Sequence, residues 1–234
     1  MNIQALIFDL DGTLLYTLQD IAKSANLALA ACGHATHPEE DYLIFVGSGM
    51  EILFRRALLA EEKGMSAVTQ DLDTVGSISC SDDEVHAVLA AMNEIYAIHS
   101  NDHTRPYDGI MDTLNTLKSM GIRLAILSNK PDGFTKDIAA QHFAPDIFDF
   151  VEGAKPDVPR KPAPDAALTI AKAWNLAPEH IAYVGDSDID VATGLRAGML
   201  AVACAWGFQG REKVQAAGAQ VILDEPSGFL SLIK

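Results

Sequence analysis

Short, nearly uninterrupted apolar runs alternate with stretches of helical periodicity over most of this chain. Ile3 to Phe8 is one such run and ends in Asp-Leu-Asp-Gly, the pattern expected of a strand buried on both faces of a parallel sheet. Ile122 to Leu127, Ile181 to Val184, Leu200 to Ala205 and Val221 to Leu223 repeat it, and Phe148 to Val151 does so more weakly. Between the runs, Asp108 to Met120 sets Ile110, Leu114 and Leu117 at helical spacing, and Ala163 to Trp174, introduced by prolines, is rich in Ala with Leu168 and Ile170 among them. Strand alternating with helix predicts an α/β fold with a doubly wound parallel sheet. In such a sheet the ligand site lies beyond the carboxyl ends of the strands.

Residues 16–97 interrupt that rhythm. Thr17 with Asp20 and Ser81 with Glu84 read as helix N-caps, and no convincing strand falls between them. The expected organisation is therefore an α/β core made of 1–15 and 98–234, with an inserted all-helical domain, a cap, at 16–97. The polar middle of the insertion, Gly64 to Cys80, predicts a loop or two short helices.

Composition narrows the function classes. With 49% hydrophobic and 21% charged residues among 234, the chain suits a globular protein with a substantial core. The net charge of −15, from 17 basic and 32 acidic residues, repels nucleic-acid backbones and anionic membranes. No nucleic-acid or membrane partner is expected, and any phosphate site has to be locally positive. Cys32, Cys80 and Cys204 are odd in number and widely spaced, which argues against a disulfide framework and for a reducing compartment. The N-terminus has no basic, apolar leader pattern and no segment is long and apolar enough to span a bilayer. A cytoplasmic protein, monomeric or weakly dimeric, is the expectation.

The candidate chemistry sits where the strands end. Asp9 closes the first strand and Asp11 follows, while Gly12 and Thr13 could turn backbone N–H groups onto an anion. A second strand ends at Leu127-Ser128-Asn129-Lys130, putting the Ser128 hydroxyl in reach of a phosphoryl oxygen. Arg160-Lys161-Pro162-Ala163-Pro164 sets Lys161 ahead of a helix whose entry the prolines fix. Tyr183-Val184-Gly185-Asp186-Ser187-Asp188-Ile189-Asp190 ends another strand. Its four-residue step predicts Asp186 and Asp190 on one helix face, as oxygen ligands for a hard cation or as caps.

These four elements, in this order and each after its own strand, resemble the haloacid dehalogenase superfamily of aspartate-nucleophile phosphohydrolases. The resemblance covers essentially the whole chain and is nearest to the phosphoglycolate phosphatase branch. Val46-Gly47-Ser48-Gly49 with Arg55-Arg56-Ala57-Leu58, Pro106-Tyr107-Asp108-Gly109-Ile110 and Trp206-Gly207-Phe208 carry that finer likeness. It implies a Mg2+-dependent phosphatase of small phosphorylated metabolites, 2-phosphoglycolate first among them. By that resemblance Asp9 is the nucleophile forming an aspartyl-phosphate and Asp11 the general acid and base. Ser128 and Lys161 clamp phosphoryl oxygens, with Gly12, Thr13, Asn129 and Arg56 as further phosphate or substrate contacts. Magnesium is then held by Asp9, the Asp11 carbonyl and Asp186, while Asp190 orients Lys161 or a metal-bound water. The family's cap closes over the core site, so Tyr16 and Val46 to Arg56 are where selectivity is expected.

Some relatives fit less well. Dehalogenases and phosphonate hydrolases of this fold lack a carboxylate at the place of Asp11, and β-phosphoglucomutases carry a cap histidine where Ile21 stands here. A mutase or pyrophosphatase of the same superfamily, or a non-catalytic module binding phosphometabolites, remains the alternative. Tyr16 departs from the Asp or Asn of many relatives. One of Arg55 and Arg56 is expected on a solvated helix face. His34 with His37 and His99 with His103 are read as solvated rather than metal-binding, because no acidic residue completes a ligand pattern around them.

Overall fold

A computed structural model describes residues 2–70 and 80–233. In chain order the elements are β1 (Ala5–Phe8), β2 (Leu15–Tyr16), α1 (Leu18–Ala31), α2 (Tyr42–Phe45), α3 (Met50–Lys63), α4 (Met65–Gln70) and α5 (Asp82–His99). They continue with β3 (Arg105–Pro106), α6 (Ile110–Ser119), β4 (Arg123–Pro131), α7 (Asp132–His142), β5 (Phe150–Ala154) and α8 (Asp165–Trp174). The last are β6 (Ile181–Gly185), α9 (Asp188–Arg196), β7 (Leu200–Cys204), α10 (Gly210–Ala216) and β8 (Val221–Leu223). The chain divides into two units, Met1–Tyr16 with Arg105–Lys234, and Thr17–Thr104. Among the described residues no helix is long and apolar enough to cross a membrane.

The first unit is built on a six-stranded sheet in the order β5-β4-β1-β6-β7-β8, every pair parallel. All four residues of β1 are fully buried, which explains its unbroken apolar run. Ala5 and Ile7 join Ala167, Ile170 and Trp174 of α8 in one core cluster, while on β1 the Phe8 ring meets Phe229 at 5.2 Å. Burying side chains of this size stabilises by about 1.5–3 kcal/mol each. The chain runs outward from β1 to β4 and β5 on one side and to β6, β7 and β8 on the other. The carboxyl ends of β4, β1 and β6 therefore border the crevice where the winding reverses, the usual ligand position in an open α/β sheet.

β4 extends to Pro131, past the expected end at Leu127, with a register shift between Leu127 and Pro131. Ser128, Asn129 and Lys130 are thus strand residues and all buried. At the margin of the unit, Leu15 and Tyr16 pair antiparallel with Pro106 and Arg105.

The second unit is helical, with α1 and α5 packed side by side and α3 against α5. Ser81 and Glu84 form the expected capping box on α5. Thr17 occupies the N-cap position of α1 but makes no side-chain cap bond. Asp20 is buried and accepts instead from the backbone N–H groups of His103 and Thr104 at 2.9 and 2.7 Å. That tie holds the end of the insertion to its beginning, and the chain leaves the helical unit at Thr104 rather than at 97, which falls inside α5. The expected loop or short helices of Gly64 to Cys80 begin with α4. Residues 71–79 lie outside the described residues.

Candidate active site

Phe8 pairs with Ile126 of β4 and Val184 of β6, so Asp9, one residue on, and Ser128 and Asp186, two residues on, come together toward the carboxyl ends of three adjacent strands. The Asp9 N–H continues the ladder to the Val184 carbonyl at 2.8 Å. Lys161 Nζ lies 2.8 Å from Asp9 Oδ1 and 2.8 Å from Asp190 Oδ1, with its side chain 4% exposed. Burial pushes the Asp9 carboxyl up to about 7; Lys161 opposes the rise, and the negative charges of Asp190 and Asp11 add to it. Burial alone would lower Lys161, yet Asp190 and Asp9 outweigh it and hold the ammonium well above its ordinary pKa.

Asp186 and Asp190 meet by a different route from the expected helical step. Asp186 lies before α9, whose N-cap is Ser187, and Asp190 is the third residue of that helix in a capping box with Ser187. The Asp190 carboxylate accepts from Ser187 N–H and hydroxyl through Oδ2 and from Lys161 through Oδ1. Asp186 accepts from the Thr13 hydroxyl at 3.1 Å and from the Phe208 N–H at 2.7 Å. Burial, then Asp190 and Asp9, raise its pKa well above the carboxylate range. The packing here is close: a Cβ on Gly207 would fall 2.1 Å from Asp186 Cβ, and one on Gly12, at φ +83°, 2.4 Å from Asp186 Oδ2.

Gly12 departs from the anion-binding turn anticipated for it. The Gly12 N–H donates to the Leu15 carbonyl at 2.9 Å, closing a local turn, and its missing side chain makes room for Asp186. The fully buried Thr13 spends its hydroxyl on Asp186, and its carbonyl accepts from Trp206 Nε1 at 3.1 Å. Asn129 likewise serves the frame. Its amide donates to the Lys161 carbonyl at 3.1 Å and accepts from the Lys161 N–H at 3.0 Å, fixing the backbone that carries the ammonium. Ser128 Oγ accepts from the Lys130 N–H at 3.2 Å, and a hydroxyl so engaged still has a proton to donate.

Lys130 was not expected here. Its ammonium lies 2.6 Å from Asp11 Oδ1, with the lysine side chain 3% exposed. In the sequence it is a lysine before a proline at a strand end, and only the β1–β4 register brings it to Asp11.

Four carboxylates, Asp9, Asp11, Asp186 and Asp190, thus face two ammonium groups, Lys130 and Lys161. One oxygen from each of Asp9, Asp186 and Asp190 lies within 4.8 Å of the others. The surplus of two negative charges and the raised Asp9 and Asp186 pKa values match a divalent, oxygen-seeking cation. Asp190 is committed to Lys161 and Ser187, which leaves Asp9 and Asp186 as the better donors. The protein side chains alone do not make this mouth positive; a cation held by the acidic cluster would.

The helical unit's candidates sit otherwise. Arg56 is buried, donating to the carbonyls of Ile44 and Phe45 at 3.1 Å each and to Ser48 Oγ at 3.3 Å. It therefore holds the end of α2 instead of projecting as a phosphate contact. Arg55 pairs with Glu51 and with Asp82 at 2.7 Å, so neither arginine is simply solvated. The histidines do find acidic neighbours: His34 with Glu61, His99 with Asp102 and His103 with Asp20. Helix α5 ends at His99, so His99 and His103 are not on one helix face. In the sheet unit, Tyr16 packs edge-on against Tyr107 and Phe208, with the Arg105 guanidinium 4.6 Å from its ring centre.

Residues 3–198 match the family model of haloacid dehalogenase-like hydrolases. Phosphoglycolate phosphatase 1 of Pseudomonas aeruginosa is 30% identical over 219 residues, 94% of this chain and 75% of that protein. The phosphoglycolate phosphatase of Vibrio parahaemolyticus is 27% identical over 99% of this chain and 96% of its own length. Among solved structures, one from Lactobacillus delbrueckii subsp. bulgaricus, provisionally named a phosphoglycolate phosphatase, superposes with a TM-score of 0.92 at 33% identity. It covers 100% of this chain and 99% of that one.

Proposed function

The chain belongs to the haloacid dehalogenase-like hydrolase family and is one of its phosphatases, and on that premise we propose that it hydrolyses small organic phosphate monoesters in the cytoplasm, with Asp9 as nucleophile, Mg2+ as cofactor and 2-phosphoglycolate as the leading substrate. The observation that carries this reading is the position of Asp9, which ends the central strand beside the Lys161 ammonium, with a second carboxylate two residues on.

An Asp9 carboxylate oxygen attacks phosphorus in line, and the bond from phosphorus to the ester oxygen breaks. Asp11 gives its proton to the departing alkoxide. Water then attacks the aspartyl-phosphate, its proton passes to Asp11, and the bond between Asp9 and phosphorus breaks to release phosphate. Lys161 neutralises charge on the phosphoryl oxygens, held in place by Asp190 and by Asn129. The Ser128 hydroxyl donates to another phosphoryl oxygen. A preorganised donor of this kind is typically worth about 3 kcal/mol to the transition state. Asp9, Asp186 and the Asp11 carbonyl would hold Mg2+, whose positive charge would offset the repulsion between the anionic nucleophile and a phosphate dianion.

Phosphate release from phosphoglycolate, sugar phosphates, nucleotides and pyrophosphate, with and without magnesium, tests the assignment. Asp9→Asn is expected to lower magnesium-dependent release by about 10,000-fold or more, as loss of a nucleophile does elsewhere. Full activity in that variant would overturn the mechanism, and preference for another ester would replace phosphoglycolate.

A further inference from the structure

We infer that Lys130 is a positioning residue that sets the carboxyl group of Asp11, and that its effect on turnover passes through Asp11. The inference rests on the proton-transfer role proposed for Asp11. Lys130 is on β4 and Asp11 in the turn after β1, yet the ammonium lies 2.6 Å from Asp11 Oδ1. Withdrawing an ammonium this far from water costs several kcal/mol unless a charged partner compensates, and the Asp11 carboxylate is such a partner.

Its own backbone is pinned at both groups. The N–H donates to Ser128 Oγ and the carbonyl accepts from the fully buried Thr135 hydroxyl at 3.1 Å. Asp11, by contrast, sits in a turn with its side chain 18% exposed, where nothing about strand geometry dictates its rotamer. A rigid ammonium on one oxygen fixes that rotamer and leaves Oδ2 as the oxygen that exchanges the proton. Proton-transfer groups lose efficiency steeply when misplaced.

A double-mutant cycle with Lys130→Met, Asp11→Asn and the pair, assayed for kcat and KM on phosphoglycolate and on p-nitrophenyl phosphate with magnesium, tests this. Lys130→Met is expected to lower kcat on phosphoglycolate by about tenfold or more, within the range that positioned acid–base groups contribute, while KM changes by less than about threefold. The loss should be smaller in the burst of nitrophenolate, whose departure needs little protonation. Lys130→Arg should restore part of kcat. In the Asp11→Asn background, adding Lys130→Met should change kcat by less than about twofold. Losses that multiply across the cycle, or a rise in KM at constant kcat, would overturn the proposal. If instead Asp11→Asn keeps full activity, or the wild-type protein turns over neither ester, the parent reading fails and takes this one with it.

Discussion

Charge is handled in opposite ways by the two units. In the helical unit the prominent charged groups are matched where they stand: Arg55 to Glu51 and Asp82, Arg56 to four oxygens at and just after the end of α2, Asp20 to His103 and Thr104. At the sheet's carboxyl end, buried carboxylates outnumber the ammonium groups beside them. Matched charges belong to architecture. An uncompensated surplus is tolerated only where something else completes it, and there it marks chemistry.

The sharpest test of this contrast is the metal-free protein's response to pH. Asp9 has a folded pKa of about 7 against an ordinary 3.8, so between those values the folded state keeps a proton that the unfolded chain has released. Stability therefore falls as pH rises from about 4 and the loss is complete above about 7. Asp186 shifts in the same direction. The Tm of EDTA-treated protein is expected to be several degrees lower at pH 8 than at pH 5, since each pKa unit is about 1.4 kcal/mol and each kcal/mol moves Tm by roughly 2–4 °C at this size. Magnesium should recover most of the difference at pH 8. Asp9→Asn should flatten the slope, and an unchanged slope in that variant would remove Asp9 as its source.

A smaller effect is expected from Arg56→Ala, which leaves carbonyl oxygens near α2 without their charged donor. A loss of about 2–3 kcal/mol in chemical denaturation follows, with KM for phosphoglycolate nearly unchanged. Wild-type stability together with a tenfold higher KM would make Arg56 a ligand and erase the contrast. Smallest is Ser81→Ala, which removes the capping box of α5. The expected cost is about 1 kcal/mol, without effect on kcat; a fall in kcat would mean that α5's cap serves turnover.

What could be read in the sequence was whatever follows from local pattern. A four-residue apolar strand that ends in Asp announces both β1 and Asp9, and the run into Asp186 does the same for β6. The insertion's helical character was legible in its capping residues and lack of strands. Contacts set by register were not. Lys130 reaches Asp11 across 119 positions, and Asn129 supports Lys161 through its backbone, a role that no residue type advertises. Asp20 looked like half of a capping box because Thr17 precedes it by three, whereas its carboxylate is claimed by two N–H groups from the far end of the insertion. Arg56 looked available because arginine usually is; its burial depends on how α2 and α3 pack.

The order of strands in the sheet also governs how the molecule can be made. Both neighbours of β1, β4 and β6, come from chain after the insertion. A chain leaving the ribosome N-terminus first exposes Ala5–Phe8 for about a hundred residues of synthesis before Arg123–Pro131 arrives to pair with it. Synthesis at roughly 5–20 residues per second makes that a wait of about 5–20 seconds. During it, α1 and α5, which pack on each other, can already assemble. The helical pair therefore has its partners to hand while the strand that leads into Asp9 is still waiting for its neighbours.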